Sequence, residues 1–380
     1  MRESPNFTRY TATVTAKSTR PTRRFPAEPI HHTHAMLTLA CKTPRGAGGM
    51  GAHFDQVIRE AIAGPGLHRY YSTAIPAPDA AIGVEVNVPA SRRLARYSPL
   101  RFSPGWRHFI DAELFDRAVA RTMACRSGAF GGFAGQNLHA GRAARRLGCE
   151  SVELHSPTAH AATTLLRYEL AARQWGIESA WLNPRMVRKQ TREYEESDII
   201  HVNSEYVRQS FLDHGIPDDK LRRTYLVTNP RFADQRASPN DGRFRIVYTG
   251  SMTVTKGVPV LVEAFRHFSE PDAELVLIGG WSTRGMRRYL EGQLARDHRI
   301  RLASGDPLPI LVESSVYVHP SYQDGYGYAP MEALLCGVKV VVTEDTGMKE
   351  NVEEGRNGYV VETGSWEAIL EKLETIRRGT

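Results

Sequence analysis

The sequence predicts an α/β protein built from two doubly wound domains that face a central cleft. The chain has 380 residues, which is more than one typical domain and fits two of α/β size. Apolar strand-like runs alternate with helix-like segments, most regularly over residues 244–364, and this alternation is typical of parallel sheets covered by helices. Glycine-rich turns follow strand-like runs in both halves, at the position where open α/β sheets bind ligands.

The composition limits the classes of function. Hydrophobic residues make up 41% and charged residues 24% of the chain, which is ordinary for a globular protein with two cores. The formal net charge of +7 and the isoelectric point near 9.2 favour anionic partners, such as nucleotide-sugar phosphates or anionic lipid surfaces. Nucleic acid is disfavoured as a partner because no nucleic-acid-binding motif accompanies the charge.

The cysteines and the hydropathy pattern favour a cytoplasmic protein. The four cysteines are scattered without metal-ligand spacing, at positions 41, 125, 149 and 336. This spacing argues against a zinc site and against a disulfide scaffold. No apolar run approaches the ~20 residues that a membrane span needs.

Changes in composition divide the chain into segments. Residues 1–35 are basic and poor in apolar side chains, so we expect a disordered tail. An N-terminal domain is predicted over residues 36–230, followed by a linker of turn-forming residues at 231–243. A C-terminal domain spans residues 244–364, and residues 365–380 are predicted to form a final helix.

The N-terminal domain begins with a strand, a glycine loop and a helix. The strand is predicted at residues 36–40 and the helix at 54–63, with Gly48, Gly49 and His53 between them. The glycines are not in the GxGxxG order, and no acidic residue lies at the distance that a dinucleotide site needs. Residues 70–107 interleave arginines with aromatic residues. A solvated loop is the favoured interpretation of that stretch, and contact with an anionic membrane surface is the alternative.

The second half of this domain has two histidines after a strand. The strand is predicted at residues 151–155 and the following helix at 161–175, with His155 and His160 at the junction. Side chains at the carboxyl end of a parallel strand point into the cleft, so both are cleft candidates. For either histidine taken alone, a structural role is the better prediction. Helices are also predicted at residues 111–123 and 137–147, and a strand at 221–229.

The C-terminal domain alternates strands and helices throughout. Strands are predicted at residues 244–250, 273–279, 300–303, 316–319 and 338–343, and helices at 258–268, 283–297 and 365–378. The first strand ends at Gly250, and Ser251 and Lys256 lie in the next loop. A strand-ending glycine lets the backbone approach a phosphate, and a nearby ammonium neutralises the phosphate charge. The Gly-Lys-Ser/Thr order of a P-loop is absent.

The most informative stretch runs from Ser321 to Gly337. A glycine-rich turn and a helix start follow a strand, which places free N–H groups and a positive dipole end at the sheet edge. Asp324 in the turn and Glu332 on the helix are eight positions apart, so both carboxylates are expected to face one crevice. One would bind sugar hydroxyls and the other a ribose. An ordinary turn followed by a first-turn helix acid is the alternative.

This stretch resembles the acidic-x7-acidic signature of retaining glycosyltransferases of family four, which have the GT-B fold. The resemblance implies that Asp324, Gly325, Tyr326 and Gly327 hold the donor sugar and that Glu332 holds the nucleotide ribose. Asp324 stands where the family usually has Glu. The resemblance covers nearly all of residues 36–380, and it is specific over 244–362 and loose over 36–230.

Two further loops resemble parts of the same family. Gly250 and Lys256 are similar to its diphosphate clamp, with Ser251 in the position of the clamp's arginine. The candidates to replace that arginine are Lys349, Arg284 and an arginine of the first domain. The loop with Gly48, Gly49 and His53 is similar to the family's entry near the acceptor and the donor phosphates.

The resemblance also assigns the histidines and the last helix. His155 or His160 would be the cleft histidine near the transferred sugar, and the two are not separated by the sequence. The helix at residues 365–380 is expected to pack back on the N-terminal domain, which would be the acceptor side of a GT-B protein.

The function that the resemblance implies is that of a retaining, metal-independent glycosyltransferase of the hexosyltransferase type. A nucleotide-sugar donor of the UDP, GDP or ADP type would give its sugar to a hydroxyl of a saccharide, a lipid-linked saccharide or a small metabolite. No cofactor or metal is expected, because no Asp-x-Asp pair lies in a suitable loop. The candidate catalytic residues are Asp324, His155, His160 and Lys256. We expect a cytoplasmic location, with peripheral association at the inner membrane surface as an option.

Two other functions stay open at this point. A nucleotide-sugar 2-epimerase is compatible with the same fold and donor site. A non-catalytic nucleotide-sugar-binding subunit is compatible with the departures at Ser251 and Asp324. The nucleotide base, the sugar, the acceptor and the oligomeric state are not readable from the sequence.

Overall fold

The computed structural model describes residues 36–88, 97, 103–124, 128–233, 235 and 242–379. The basic tail predicted at residues 1–35 lies outside the described residues, as do residues 89–96 and 98–102 of the basic-aromatic stretch and most of the linker. The described chain forms two parallel sheets with helices on both faces, one sheet in each half of the sequence.

The N-terminal domain contains a seven-stranded parallel sheet in the order β3-β2-β1-β4-β5-β6-β7. Its strands are β1 (Leu37–Ala40), β2 (Leu67–Ser72), β3 (Gly83–Glu85), β4 (Ala129–Phe133), β5 (Ser151–Ser156), β6 (Ile199–Val202) and β7 (Leu221–Arg223). Its helices in the described residues are α1 (Gly48–Ala63), α2 (Pro104–Thr122), α3 (Leu138–Arg146), α4 (Ala161–Trp175), α5 (Pro184–Glu196) and α6 (Glu205–Leu212). Strands β2 and β3 were not predicted, because their short, Pro-flanked runs have little periodicity.

The C-terminal domain contains a six-stranded parallel sheet in the order β10-β9-β8-β11-β12-β13. Its strands are β8 (Arg245–Met252), β9 (Glu274–Trp281), β10 (Ile300–Ala303), β11 (Val316–His319), β12 (Lys339–Thr343) and β13 (Gly358–Val361). Its helices are α7 (Val258–His267), α8 (Arg284–Arg296), α9 (Leu308–Leu311), α10 (Tyr328–Leu335) and α11 (Trp366–Arg378). The strand order reverses between β8 and β11, which makes the carboxyl ends of these two strands the expected ligand site.

Successive side chains of β8 point alternately into the two cores of the C-terminal domain, one on each face of the sheet. Ile246 and Tyr248 belong to one buried cluster and Val247 to the other, as expected for a strand with helices on both faces. The first cluster includes Ala171 of α4, and Trp175 and Ile177 pack against it. The end of α4 therefore joins the two domains through apolar contact.

The final helix packs mainly on its own domain, whereas the sequence analysis expected it on the N-terminal domain. Its buried residues Ile369, Leu373 and Ile376 recur at helical spacing and belong to the core of the C-terminal domain. The helix lies mainly against α7 and β13. The apolar stripe of α11 is matched by the apolar face of α7 in its own domain.

Three of the cysteines lie in the described residues. Cys41 and Cys336 are buried free thiols. Cys149 is disulfide-bonded, which the scattered cysteine spacing did not predict. No helix in the described part of the chain is long and apolar enough to cross a membrane.

Two buried carboxylates fix the start of α3 at the carboxyl edge of the N-terminal sheet. Glu193 accepts hydrogen bonds from the backbone N–H groups of Gly135, Asn137 and Leu138, at 2.5, 2.8 and 3.1 Å. Asp116 accepts from the next N–H groups along the chain, those of His139 and Ala140. Together they satisfy donors that a helix start leaves without intrahelical partners.

Replacement of Glu193 by Ala should therefore destabilise the N-terminal domain. We expect a loss of about 3 kcal/mol in the free energy of unfolding, because three buried N–H groups lose their acceptor. Glu196→Ala on the same helix is the matched control. Glu196 pairs with Arg142 in a partly exposed position, so its loss should cost under about 1 kcal/mol. Equal losses for both variants in urea denaturation would contradict this account of the helix start.

Candidate active site

The two domains meet over the loop between β11 and α10. An added Cβ on Gly49, at the start of α1, would lie 3.4 Å from the ring of Tyr328, the first residue of α10. An added Cβ on Gly325 would lie 1.8 Å from the carbonyl oxygen of Pro157. The predicted donor turn of one domain is thus in close contact with loops of the other, and only glycine fits at position 325.

Asp324 and Lys256 form an ion pair at the point where the sheet order reverses. The Nζ atom of Lys256 lies 2.8 Å from Oδ2 of Asp324, and Nε2 of His319 lies 3.0 Å from the same oxygen. Burial alone would raise the pKa of Asp324, but the Lys256 charge and the two hydrogen bonds hold it well below its usual range. Asp324 is therefore an ionised acceptor rather than an acid.

His319 is a site residue that the sequence analysis missed. It is the last residue of β11 and is buried. A hydrogen bond from His319 to Asp324 requires the tautomer with its proton on Nε2. The signal for it was its position at a strand end next to the acidic turn. That signal was hidden because the histidine lies within an apolar run.

The backbone of the Asp324 turn is fixed by the loop after β12. The N–H of Asp324 donates to the carbonyl of Asp345 at 3.2 Å, and the N–H of Gly347 donates to the carbonyl of Asp324 at 3.0 Å. An added Cβ on Gly347 would lie 1.9 Å from the carbonyl oxygen of Gly325. The carboxylate thus projects from a turn that is bonded on both sides.

The backbone at Gly250, near the end of β8, is exposed and allows the close approach of a ligand. Gly250 and Gly279 both have φ of +138°, and an added Cβ on Gly279 would lie 2.1 Å from the Gly250 carbonyl oxygen. Ser251 is exposed, and its Oγ atom lies 3.4 Å from Oγ of Ser282. Ser251 itself brings no cation to this strand end.

Glu332 lies on α10 in a half-buried position. Burial raises the pKa of its carboxyl to about 7, with Arg231 lowering and Asp306 raising it. Arg231 binds Asp306 at 2.8 Å, so its charge is already shared. Among the described residues, no side chain makes an ion pair with Glu332.

The aromatic residues of the turn face the N-terminal domain. Tyr326 donates its hydroxyl to the carbonyl of Leu226 at 2.9 Å, and its ring packs edge-on against Tyr328 at 5.0 Å. The predicted donor-binding role of Tyr326 would therefore rest on its backbone N–H group. Gly327, with φ of +83°, provides the left-handed residue that precedes α10.

His53 and His155 lie inside the N-terminal domain rather than on the cleft surface. The exposed fraction is 1% for His53 and 0% for His155. The His155 ring stacks on Phe133 at 5.2 Å and on His201 at 4.5 Å, and His53 packs edge-on against it at 5.6 Å. Burial, together with His201, lowers the pKa of His53 to about 3, so that ring is neutral.

His160 makes structural contacts, which is the role that the sequence favoured for either histidine taken alone. Its Nδ1 atom accepts the N–H of Ala162 at the start of α4, at 3.3 Å, and its ring stacks on His214 at 4.1 Å. Burial and His214 lower its pKa to about 4. Within the part of the chain that the structure describes, no hydrogen bond, ion pair or ring contact joins His53, His155 or His160 to Asp324.

Polar bridges across the domain interface were not predicted from the sequence. Glu178 accepts the N–H of Val254 at 2.7 Å and also the hydroxyl of Thr283. Arg167 binds Asp345 at 2.8 Å. Such pairs have no local signal, because their members are far apart in the chain.

One cluster in the described residues has the composition of a metal site. The ligand atoms of Glu113, Asp116 and His139 lie within 4.8 Å of one another. The ammonium of Lys189 lies 2.7 Å from Glu113 and 2.5 Å from Asp116. Lysine therefore already neutralises these carboxylates, and the cluster lies beside α3 rather than near Asp324.

The C-terminal half is similar to a known protein family. Residues 231–378 match the family model described as "Glycosyl transferases group 1". The capsular polysaccharide biosynthesis glycosyltransferase CapM of Staphylococcus aureus is 29% identical over 170 residues, which cover 43% of each chain. A D-inositol 3-phosphate glycosyltransferase of Paenarthrobacter aurescens is 26% identical over 34% of this chain and 35% of the relative. The match therefore spans less than half the length of these curated relatives.

Solved structures match the whole fold. A sucrose-phosphate synthase from Thermosynechococcus elongatus superimposes with a TM-score of 0.69 at 18% identity, covering 90% of each chain. Anabaena Alr3699/HepE, solved in complex with UDP, gives a TM-score of 0.60 at 16% identity, also covering 90% of each chain. The predicted GT-B fold is thus confirmed, and residues 231–378 are similar to the glycosyl transferases group 1 family.

The raised pKa of Glu332 gives a testable pH dependence of stability. A carboxyl with a folded-state pKa near 7 and an ordinary unfolded-state value favours folding below about pH 4.5, and that contribution is lost as the pH rises towards 7. Glu332→Gln cannot ionise, so we expect its melting temperature to rise relative to wild type between pH 5 and pH 8. Glu353→Gln, at an exposed carboxyl, controls for the loss of one charge. A constant difference between Glu332→Gln and wild type over this range would contradict the burial argument.

Proposed function

We propose that the protein is a retaining, metal-independent glycosyltransferase that moves a sugar from a nucleotide-sugar donor to a hydroxyl acceptor. The observation that carries this proposal is the Lys256–Asp324 ion pair beside the start of α10, with Glu332 further along the same helix. The family model match over residues 231–378 supports it. A structural neighbour was solved in complex with UDP-glucose, which favours a UDP-type donor here.

Each donor group has a matching position in the site. The ribose hydroxyls would donate to Glu332, which must be ionised to accept two hydrogen bonds. The diphosphate would lie near the Lys256 ammonium and the exposed strand end at Gly250. The sugar hydroxyls would donate to Asp324. The Lys256 ammonium and the hydrogen bond with His319 keep this carboxylate ionised. The N–H groups that precede α10 would add positive potential where the phosphate leaves.

The proposed transfer proceeds on one face of the sugar. The bond between the anomeric carbon and the phosphate oxygen breaks, and the electron pair stays on the diphosphate. The acceptor oxygen bonds to the anomeric carbon from the same face, and its proton passes to the departing phosphate oxygen. Lys256 and the backbone N–H groups stabilise the leaving charge. Neither His155 nor His160 takes part, because both are held in packing within the N-terminal domain.

A non-catalytic nucleotide-sugar-binding subunit is the second candidate. The buried histidines and the missing arginine at Ser251 favour it. One measurement distinguishes the two functions. A transferase releases free nucleotide only when a hydroxyl acceptor is present, whereas a binding subunit does not.

Nucleotide binding tests the proposed donor site. We expect UDP, GDP or ADP, or one of their glucose, mannose and N-acetylglucosamine conjugates, to raise the melting temperature, and the shift to survive EDTA. Lys256→Ala and Glu332→Ala should each weaken that binding roughly tenfold or more, because each removes a charge-assisted contact. Lys372→Ala, a partly exposed lysine that pairs with Glu371, is the matched control. Wild-type affinity in both site variants, with intact circular dichroism, would remove the proposed donor site.

A further inference from the structure

Three arginines from the two domains line one cavity in the cleft. The cavity has a volume of about 410 Å³, and its lining includes Arg107 of α2 and Arg284 and Arg288 of α8. Helix α8 starts after the carboxyl end of β9, at the edge of the sheet where ligands bind. The cavity therefore opens between the faces that the two domains turn to each other.

The charge in this cavity is not balanced by protein groups. Within the described residues, none of the three arginines makes an ion pair with an acidic side chain. The one carboxylate in the lining belongs to Glu178, and its two oxygens already accept from Val254 and Thr283. Three like charges around one cavity repel one another, which is unfavourable unless an anion joins them.

The dipole of α8 adds to the uncompensated positive charge in the cavity. Arg284 and Arg288 lie in the first turns of α8, and no acidic residue lies in its first turn. Cations at the N-terminal end of a helix are opposed by its dipole, whereas anions there are stabilised. Two independent features of the cavity, the arginine cluster from both domains and the helix end, thus favour an anionic group.

The cavity adjoins the strand end where a cation is missing. Ser282 belongs to the cavity lining, and its Oγ atom lies 3.4 Å from Oγ of Ser251. Ser251 occupies the position at which the resemblance expected an arginine for the donor diphosphate. The cavity that the arginines line is therefore next to the position that lacks one.

We propose that Arg107, Arg284 and Arg288 bind the donor diphosphate and hold its charge as it leaves, in place of the arginine absent at Ser251. Guanidinium groups suit this task because their N–H groups match phosphate oxygens in pairs. Because the arginines come from both domains, the bound diphosphate also holds the cleft closed. This inference rests on the proposed function and names further residues for the same donor site.

Calorimetric titration of UDP, GDP and ADP into wild type and variants tests the inference. For the nucleotide that wild type binds best, Arg107→Ala and the double variant Arg284→Ala/Arg288→Ala should each raise Kd about tenfold or more. The affinity for the corresponding nucleoside, which lacks phosphate, should stay the same. Arg287→Ala is the matched control, since Arg287 lies on the same helix turn but binds Glu291 at 2.7 Å. Circular dichroism and melting curves confirm that each variant folds.

The outcomes separate this inference from the proposed function. An unchanged Kd in both arginine variants, with a raised Kd in Lys256→Ala, would overturn the inference and leave the donor site in place. An equal loss of nucleoside affinity would also overturn it, because the arginines would then act on the base or the fold. Failure of wild type to bind any of the three nucleotides would remove the proposed function as well.

Discussion

The ion pair between Lys256 and Asp324 joins the two loops on which the candidate site depends. The loops follow β8 and β11, which are neighbours at the reversal of the strand order. Parallel strands end at the same edge, so residues 68 positions apart in the chain meet there. The pair fixes the carboxylate, the ammonium and the start of α10 in one arrangement, and the loop after β12 secures the same turn through its backbone.

Several charged groups around the cleft are poorly compensated by the protein itself. Glu332 has a raised pKa because it is half-buried without an ion-pair partner in the described residues. Three arginines surround a cavity whose one carboxylate is already used. Groups of this kind cost stability in the empty protein. In the proposed function, the ribose hydroxyls and the phosphates of a nucleoside diphosphate would compensate them.

The sequence predicted the C-terminal domain well because its signals are local. Strands and helices there have clear periodicity. Lys256 and Asp324, which the resemblance assigned to one donor site, follow strands of the same sheet and form an ion pair. The histidines could not be placed in this way. Whether His155 faces the cleft depends on Phe133 and His201, which come from other strands. The main neighbour of α11 could not be predicted in this way either, since an apolar stripe does not specify the surface that it covers.

A crystal structure of the protein with the nucleoside diphosphate that it binds best would test the central claim most directly. The account predicts ribose hydroxyls within hydrogen-bond distance of Glu332 and phosphate oxygens within reach of the Lys256 ammonium, at the start of α10. A nucleotide bound elsewhere, with the Lys256–Asp324 pair untouched and Glu332 away from the ribose, would contradict it.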